Sequence, residues 1–202
     1  SEGPRDPGDA VLDALKWLAR HQNPDGSWSV TGSVGQCRET CSPNPGQADF
    51  DAGVTGLSLL AFLGAGHSHL SRDTHDGICF GDVVRRGLQW MIFHQDPEGC
   101  VGPRTGARYL YNHAIGALAL AEAYGLTGSN LFRDQAQRSI DFLVAAQNPG
   151  RGWRYSFRSG DNDSSVTGWA AMALKSAELS GLSLPRSAYD GTLAWLDEAT
   201  ES

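Results

Sequence analysis

The chain is short of basic residues and of long apolar runs, and each shortage weighs against a class of partner. Sixteen Lys and Arg residues face 23 Asp and Glu residues, which gives a net charge of −7. The basic residues form no cluster, so nucleic acid and anionic membranes are disfavoured as partners. The longest uncharged apolar stretch, residues 52–66, is shorter than the ~18–20 residues that span a bilayer. We therefore expect no transmembrane segment.

Cysteine is also scarce, at four residues. All four lie in predicted loops: Cys37, Cys41, Cys79 and Cys100. An even count in loops leaves disulfides open, which would place the protein in an extracytoplasmic compartment, and free thiols are the alternative. Three histidines lie near Cys79, but the spacings match no standard zinc pattern. Because P-loop, dinucleotide-binding and Ser–His–Asp motifs are also missing from the sequence, we predict no metal and no cofactor.

The chain does contain an internal repeat, with an aromatic residue on each amphipathic segment: Trp17, Trp90, Phe142 and Trp195. A glutamine follows the first three at the same distance, in front of a turn that contains glycine: Gln22, Gln95 and Gln147. Trp28 and Trp153 close the first and third turns, whereas Val101 stands in the second. The units cover about 9–66, 81–126, 131–182 and, in part, 186–202, with inserted loops at 29–48 and 67–80. We expect one domain over 1–202.

Two kinds of helix alternate along these units. Amphipathic segments near 8–22, 82–95, 132–147 and 187–199 should have one solvent-facing side. We expect the four repeat aromatics on them to be mostly buried. Segments near 52–66, 112–125 and 164–181 are apolar nearly all round and rich in Gly and Ala, which is typical of buried helices with close backbone contacts. The sequence predicts an all-α fold of about seven principal helices, outer and inner in turn. Residues 29–48 have no helical or alternating pattern and should form an irregular excursion.

The repeated glutamine–turn–tryptophan pattern resembles the QW motif of squalene–hopene cyclases and related triterpene cyclases. The segments "YNHAIGALALAEAYGLTG", "GWRYSF" and "SSVTGWAAMALKSAELSGL" resemble the prenyltransferase and squalene-oxidase-repeat proteins of bacteria. The resemblance covers roughly residues 9–198. It implies an α/α-toroid, as in protein prenyltransferase β-subunits, with an isoprenoid or other apolar ligand in its cavity. It also implies that each glutamine bonds the end of a neighbouring helix while the tryptophan packs against it.

In such a toroid the inner helices run parallel, so their N-termini meet at one end of the cavity. Candidate ligand-binding residues lie near these N-termini: Asp49, Asp51, Tyr111, His113, Asp163 and Trp169. N-capping by Asp51 and Asp163 and a structural role for His113 are the alternatives.

The acid that starts cyclase chemistry is missing from these positions. Terpene cyclases of this group carry Asp-x-Asp-Asp-Thr, and the central Asp protonates an alkene. When the threonine of that motif is set on Thr167, the first Asp falls on Asp163, but Ser165 and Val166 occupy the next two acid positions.

Two functions stay open: an enzyme that acts on an isoprenoid, and a non-catalytic toroid domain that binds a lipid or a protein. An incomplete ring exposes its inner helices, so we expect a homodimer, a partner chain or a longer natural chain to cover them.

Overall fold

A computed structural model describes residues 6–32 and 46–201. The described residues form seven α-helices: α1 (Pro7–Arg20), α2 (Asp51–Gly64), α3 (Phe80–Phe93), α4 (Tyr109–Thr127), α5 (Asn130–Ala146), α6 (Ser164–Leu179) and α7 (Arg186–Glu201). A 3-10 turn, Ala48–Phe50, leads into α2, and two short antiparallel strands precede α3: β1 (Thr74–His75) and β2 (Ile78–Cys79). The prediction of an all-α fold is confirmed.

The predicted helix types follow from local sequence. Asp6 is the N-cap of α1, and its carboxylate accepts a hydrogen bond from the Gly8 N–H at 3.0 Å. Pro7 occupies the first position of the helix, where a missing N–H costs nothing. The helix buries only one side, through Leu15 and Ala19. In contrast, α4 is buried on nearly every side over residues 112–121. It begins at Tyr109, three residues earlier than the start predicted from the apolar pattern.

The inner helices α2, α4 and α6 pack side by side in that order, with α3, α5 and α7 outside them. Gly53 of α2 lies against Asn112 of α4, and Gly56 lies against Ile115. Because both positions advance together, α2 and α4 run parallel.

The same argument orients α6. Tyr111 meets Ser165, and the Ser180 hydroxyl, just after α6, donates to the Ala121 carbonyl oxygen at 3.1 Å. The N-termini of all three inner helices therefore lie at one end of the molecule.

Close approach of the inner helices depends on their small residues. A Cβ placed on Gly56 would lie 2.9 Å from Cγ2 of Ile115, a separation that real Cβ atoms avoid. The Gly- and Ala-rich composition of these segments thus sets the distance between α2 and α4, as the sequence indicates.

The predicted excursion at 29–48 falls largely on residues 33–45, which lie outside the described residues. Its described ends contain turns and the 3-10 turn at Ala48–Phe50. The second inserted loop, 67–80, carries the β1–β2 pair, and α3 begins at its last residue. Among the described helices, none combines the length and the apolar character needed to cross a membrane.

Candidate functional site

Each repeat glutamine joins its own turn to the next outer helix. The Gln22 side chain, through Nε2, donates to the carbonyl oxygens of Gly26 at 3.0 Å and Val83 at 2.9 Å. Arg86 completes the contact by donating to Gln22 Oε1 at 2.7 Å. The receiving carbonyl lies in the first turns of α3, so one amide group holds two repeat units together.

The other two glutamines make the same pair of bonds: Gln95 to the carbonyl oxygens of Gly99 (3.2 Å) and Gln135 (2.9 Å), and Gln147 to those of Arg151 (2.7 Å) and Ala188 (2.9 Å). Gly26 and Gly99 have φ of 98° and 102°. A side chain on either glycine would also strike a backbone carbonyl of the next outer helix. The turn therefore requires glycine for its conformation and for the space.

Trp28 and Trp153 fix their turns to an inner helix. The Trp28 backbone N–H donates to Thr55 Oγ1 at 3.0 Å, and the Trp153 N–H donates to Thr167 Oγ1 at the same distance. Each indole Nε1 then donates to a carbonyl oxygen of the preceding outer helix at 2.8 Å. Both side chains are buried, so these residues are structural.

In the second unit His113 takes the role of the threonine that accepts the turn's backbone N–H, because Ile115 stands where Thr55 and Thr167 stand in the other units. Its Nδ1 accepts the Val101 N–H at 3.0 Å, which leaves Nε2 to donate to the Ser139 carbonyl oxygen at 3.0 Å. The ring packs edge-on against Phe142. Burial lowers the pKa of His113 to about 4, so the imidazole is neutral at pH 7. His113 is fully buried, so its imidazole is a structural group and does not line a ligand-binding surface as the sequence predicts.

The prediction that all four repeat aromatics are mostly buried is wrong for Trp17. Trp17 is 46% exposed, whereas its equivalent Trp90 is 8% exposed. The turn of the preceding unit makes the difference, because Trp90 lies next to Asp25 in that turn. Phe142 is buried beneath Arg104 of the second unit, and Trp195 is half-buried against Gly152 of the third. Among the described residues, no such turn covers Trp17.

A cavity of about 580 Å³ opens at the N-terminal ends of the inner helices. Its apolar wall comes from the 3-10 turn, α2 and α4 and includes Phe50, Val54, Leu57 and Ile115. Its polar rim comes from the N-terminal ends of α4 and α6: Arg108, Tyr111, Asn112, Asp163 and Ser165. Of the predicted site residues, the structure therefore brings Tyr111 and Asp163 to one cavity.

Asp163 is held in place as the N-cap of α6. Its Oδ1 accepts the Val166 N–H at 2.9 Å, and the Tyr155 hydroxyl donates to its Oδ2 at 3.4 Å. Tyr111 lies nearby, with its hydroxyl hydrogen-bonded to Ser165. The rim thus presents hydroxyl groups and one carboxylate that is already bonded to the helix end.

The remaining candidates, Asp49, Asp51 and Trp169, do not line this cavity. Asp49 lines a second cavity of about 480 Å³, and Asn112 donates to the Asp49 carbonyl oxygen at 2.6 Å. Asp51 accepts the Val30 N–H at 2.9 Å and ties the first turn to α2. Trp169 is half-buried one helical turn beyond Ser165, outside the residues that line either cavity.

Sequence reasoning missed Arg108 and Tyr155. Arg108 borders both cavities and lies over the Tyr155 ring, 5.2 Å from its centroid. It makes no ion pair with the part of the chain that the structure describes. Tyr155 belongs to the segment "GWRYSF", and its backbone carbonyl accepts the Leu110 N–H at 3.1 Å. The position of Tyr155 in the turn that follows Trp153 could have indicated that it lies near the inner helices, whereas no sequence pattern marks Arg108.

Cys79 and Cys100 do not line this cavity. Both are free thiols, and Cys37 and Cys41 lie outside the described residues. Burial, together with the Asp96 carboxylate, raises the pKa of Cys100 to about 12. Within residues 6–32 and 46–200, no group of three His, Cys, Asp or Glu side chains is arranged to hold a metal ion.

Comparison of the chain with protein-family models and with curated proteins gives no match.

Proposed function

We propose that the protein binds an apolar small molecule of the isoprenoid class in the cavity at the N-terminal ends of α2, α4 and α6. The observation that carries this proposal is the division of the cavity into an apolar wall and a polar rim. Its volume of about 580 Å³ falls within the roughly 300–1,000 Å³ of small-molecule sites.

The two sides of the cavity suit the two ends of such a ligand. Val54, Leu57 and Ile115 offer aliphatic surface without a charge, against which a branched hydrocarbon chain loses its contact with water. A hydroxyl or other polar end group would meet Arg108 and the Tyr111–Ser165 pair at the rim. Tyr155, held by the Arg108 guanidinium over its ring, closes the cavity on one side.

The resemblance to triterpene cyclases and prenyltransferase repeats supports the choice of an isoprenoid. Parallel inner helices covered by outer helices, with a glutamine joining each unit to the next, are also the arrangement expected of an α/α-toroid segment. We therefore propose that the protein is a terpenoid-cyclase-like repeat protein.

Binding without turnover is the function that the rim chemistry favours. Alkene protonation needs a carboxylic acid aimed at the ligand, and Ser165 and Val166 occupy the positions where that acid would stand. Asp163 already accepts hydrogen bonds from a helix N–H and from Tyr155. We infer a non-catalytic binding domain.

Isothermal titration of the full chain with farnesol and geranylgeraniol tests the proposal. We expect saturable binding, and we expect Leu57→Arg to weaken it by about tenfold or more, because the variant places a charge on the apolar wall. Leu131→Arg on α5 is the matched control, since Leu131 is an exposed leucine outside both cavities. Product analysis after long incubation should return the ligand unchanged.

Two results would overturn this proposal. Equal binding by the Leu57→Arg and Leu131→Arg proteins would place the ligand elsewhere. Conversion of the ligand by the wild-type protein would show that an acid other than the missing one performs catalysis.

A further inference from the structure

The second cavity adjoins the proposed isoprenoid site and has a different character. Its volume of about 480 Å³ lies above the ~300 Å³ lower end of small-molecule sites, which is more space than a single hydroxyl group fills. Phe50, Arg108 and Asn112 line both cavities, so the two share a boundary. A ligand whose chain lies in the first cavity and ends at Arg108 therefore has room to extend into the second.

The second cavity carries two opposite charges that do not pair with each other. Asp49 and Arg108 both line it. Among the described residues, the Asp49 carboxylate has no hydrogen-bonded or ionic partner, and the Arg108 guanidinium has only the face of the Tyr155 ring. An acceptor and a donor of full charge are thus both available to a ligand between them.

Two amide side chains add neutral hydrogen-bonding groups to the same space. Gln47 and Asn112 line the cavity. Asn112 is 5% exposed, and its Nδ2 donates to the Asp49 carbonyl oxygen at 2.6 Å. Its Oδ1 accepts no hydrogen bond from the part of the chain that the structure describes. Because buried amide oxygens nearly always have a donor, this oxygen is a natural acceptor for a ligand hydroxyl.

Aromatic rings complete the wall. Phe50 and Tyr109 line the cavity, and the Tyr109 hydroxyl accepts the Phe157 N–H at 2.9 Å, which holds this side chain in place. A Cβ built on Gly106 would lie 3.1 Å from Asp49 Oδ2, so a larger residue there would crowd the carboxylate. The cavity therefore combines apolar ring surface with carboxylate, amide and guanidinium groups.

The balance of charges selects the chemical class of the ligand group. An anion would be attracted by Arg108 but repelled by Asp49, and a cation would meet the reverse situation. A zwitterion would pair with both residues, but it would have to lose the water around two charges. Neutral hydroxyl groups donate to Asp49 and accept from Arg108 in strong, charge-assisted hydrogen bonds, and the ligand gives up no hydrated charge.

We propose that the second cavity binds a neutral sugar that is joined to the isoprenoid, so that the ligand is an isoprenyl glycoside. This inference rests on the proposed function, because it places the hydrocarbon chain in the cavity of α2, α4 and α6. The sugar hydroxyls bond Asp49, Arg108 and Asn112 Oδ1. The C–H surface of the sugar ring packs against Phe50 and Tyr109.

Isothermal titration of the full chain with geraniol, geranyl β-D-glucoside and geranyl phosphate tests this inference. The three probes share one hydrocarbon chain, so differences in affinity report on the head group. We expect the glucoside to bind about tenfold or more tightly than geraniol, and the phosphate to bind no more tightly than geraniol.

Asp49→Ala separates the second cavity from the first, because Asp49 lines only the second of the two. The substitution should lower the ratio of glucoside affinity to geraniol affinity about tenfold. Asp134→Ala is the matched control, since Asp134 is an exposed aspartate of α5 outside both cavities, and the ratio should stay at its wild-type value. Circular dichroism should show that both variants are folded.

Equal affinities for the glucoside and geraniol would overturn the inference, and so would a phosphate that binds more tightly than the glucoside. An affinity ratio that Asp49→Ala leaves at the wild-type value would place the sugar elsewhere. In each of these cases geraniol still binds, so the proposed function stands. Failure of all three probes to bind would overturn the proposed function together with this inference.

Discussion

The side-chain amide of Gln22 donates a hydrogen bond to the backbone carbonyl oxygen of Val83, 61 residues further along the chain. That single contact spans two repeat units, and it recurs wherever a repeat glutamine is followed by another outer helix. The stability of the array should therefore depend on a small number of amide groups.

Replacing Gln22 with Ala should lower the free energy of unfolding by about 1–3 kcal/mol, because two buried carbonyl oxygens and Arg86 lose a partner together. Chemical denaturation measures the change. Gln89→Ala removes an exposed glutamine of α3 and should stay close to wild type. Equal effects of the two substitutions would show that the hydrogen bonds of Gln22 add nothing to stability.

Trp90→Ala and Trp17→Ala should differ although the residues occupy equivalent positions. Trp90 is buried beneath the first turn, so its loss should cost ~3–5 kcal/mol. Trp17 is half exposed, and its loss should cost less than ~1 kcal/mol. The comparison uses the same denaturation assay, and a cost for Trp17→Ala as large as that for Trp90→Ala would contradict the difference in exposure between the two side chains.

His113 should make the protein sensitive to acid. Its folded-state pKa of about 4 lies below its usual value of 6.5, so the unfolded chain takes up this proton first as pH falls. The neutral imidazole then contributes stability above pH 6.5, and roughly 3 kcal/mol is lost between about pH 6.5 and pH 4. Denaturation at both pH values should show a smaller drop for His113→Gln than for wild type. An identical drop would mean that other groups account for the acid sensitivity.

Cys100 should resist alkylation in the folded protein. Burial raises its pKa to about 12, so almost no thiolate forms near neutral pH, and the sulfur is enclosed. Peptide mapping after iodoacetamide treatment should find Cys79 modified before Cys100, because Cys79 is half-buried, and should find Cys100 modified only after unfolding. Early modification of Cys100 would show that the second turn opens readily.

Some of the fold is legible in the sequence because the relevant signals are local. A helix with one apolar side and a helix apolar on all sides differ in periodicity, which is why the order of apolar and polar residues suffices to tell α1 from α4. The spacing of Gln22, Gln95 and Gln147 likewise marks where each turn begins.

The candidate site was less predictable. Asp163 and Tyr111 line the same cavity because α4 and α6 run parallel and side by side, which brings the N-terminal ends of these two helices together. Arg108 precedes α4 without any repeating pattern, so only the packing of the turn around Tyr155 brings it there.

The sequence by itself determined the helix types, the repeat and the positions of the repeat glutamines, since each of these follows from residues close together in the chain. The tertiary structure decided what each repeated position experiences. Trp17 and Trp90 share a sequence context but differ in exposure, because one of them has a preceding turn packed on it. His113 became a structural residue because the adjacent turn offered Val101 where a tryptophan would have filled the space. The exposure of a side chain depends on the unit that packs against it, and the residues of that unit lie too far along the chain to be read from a local sequence pattern.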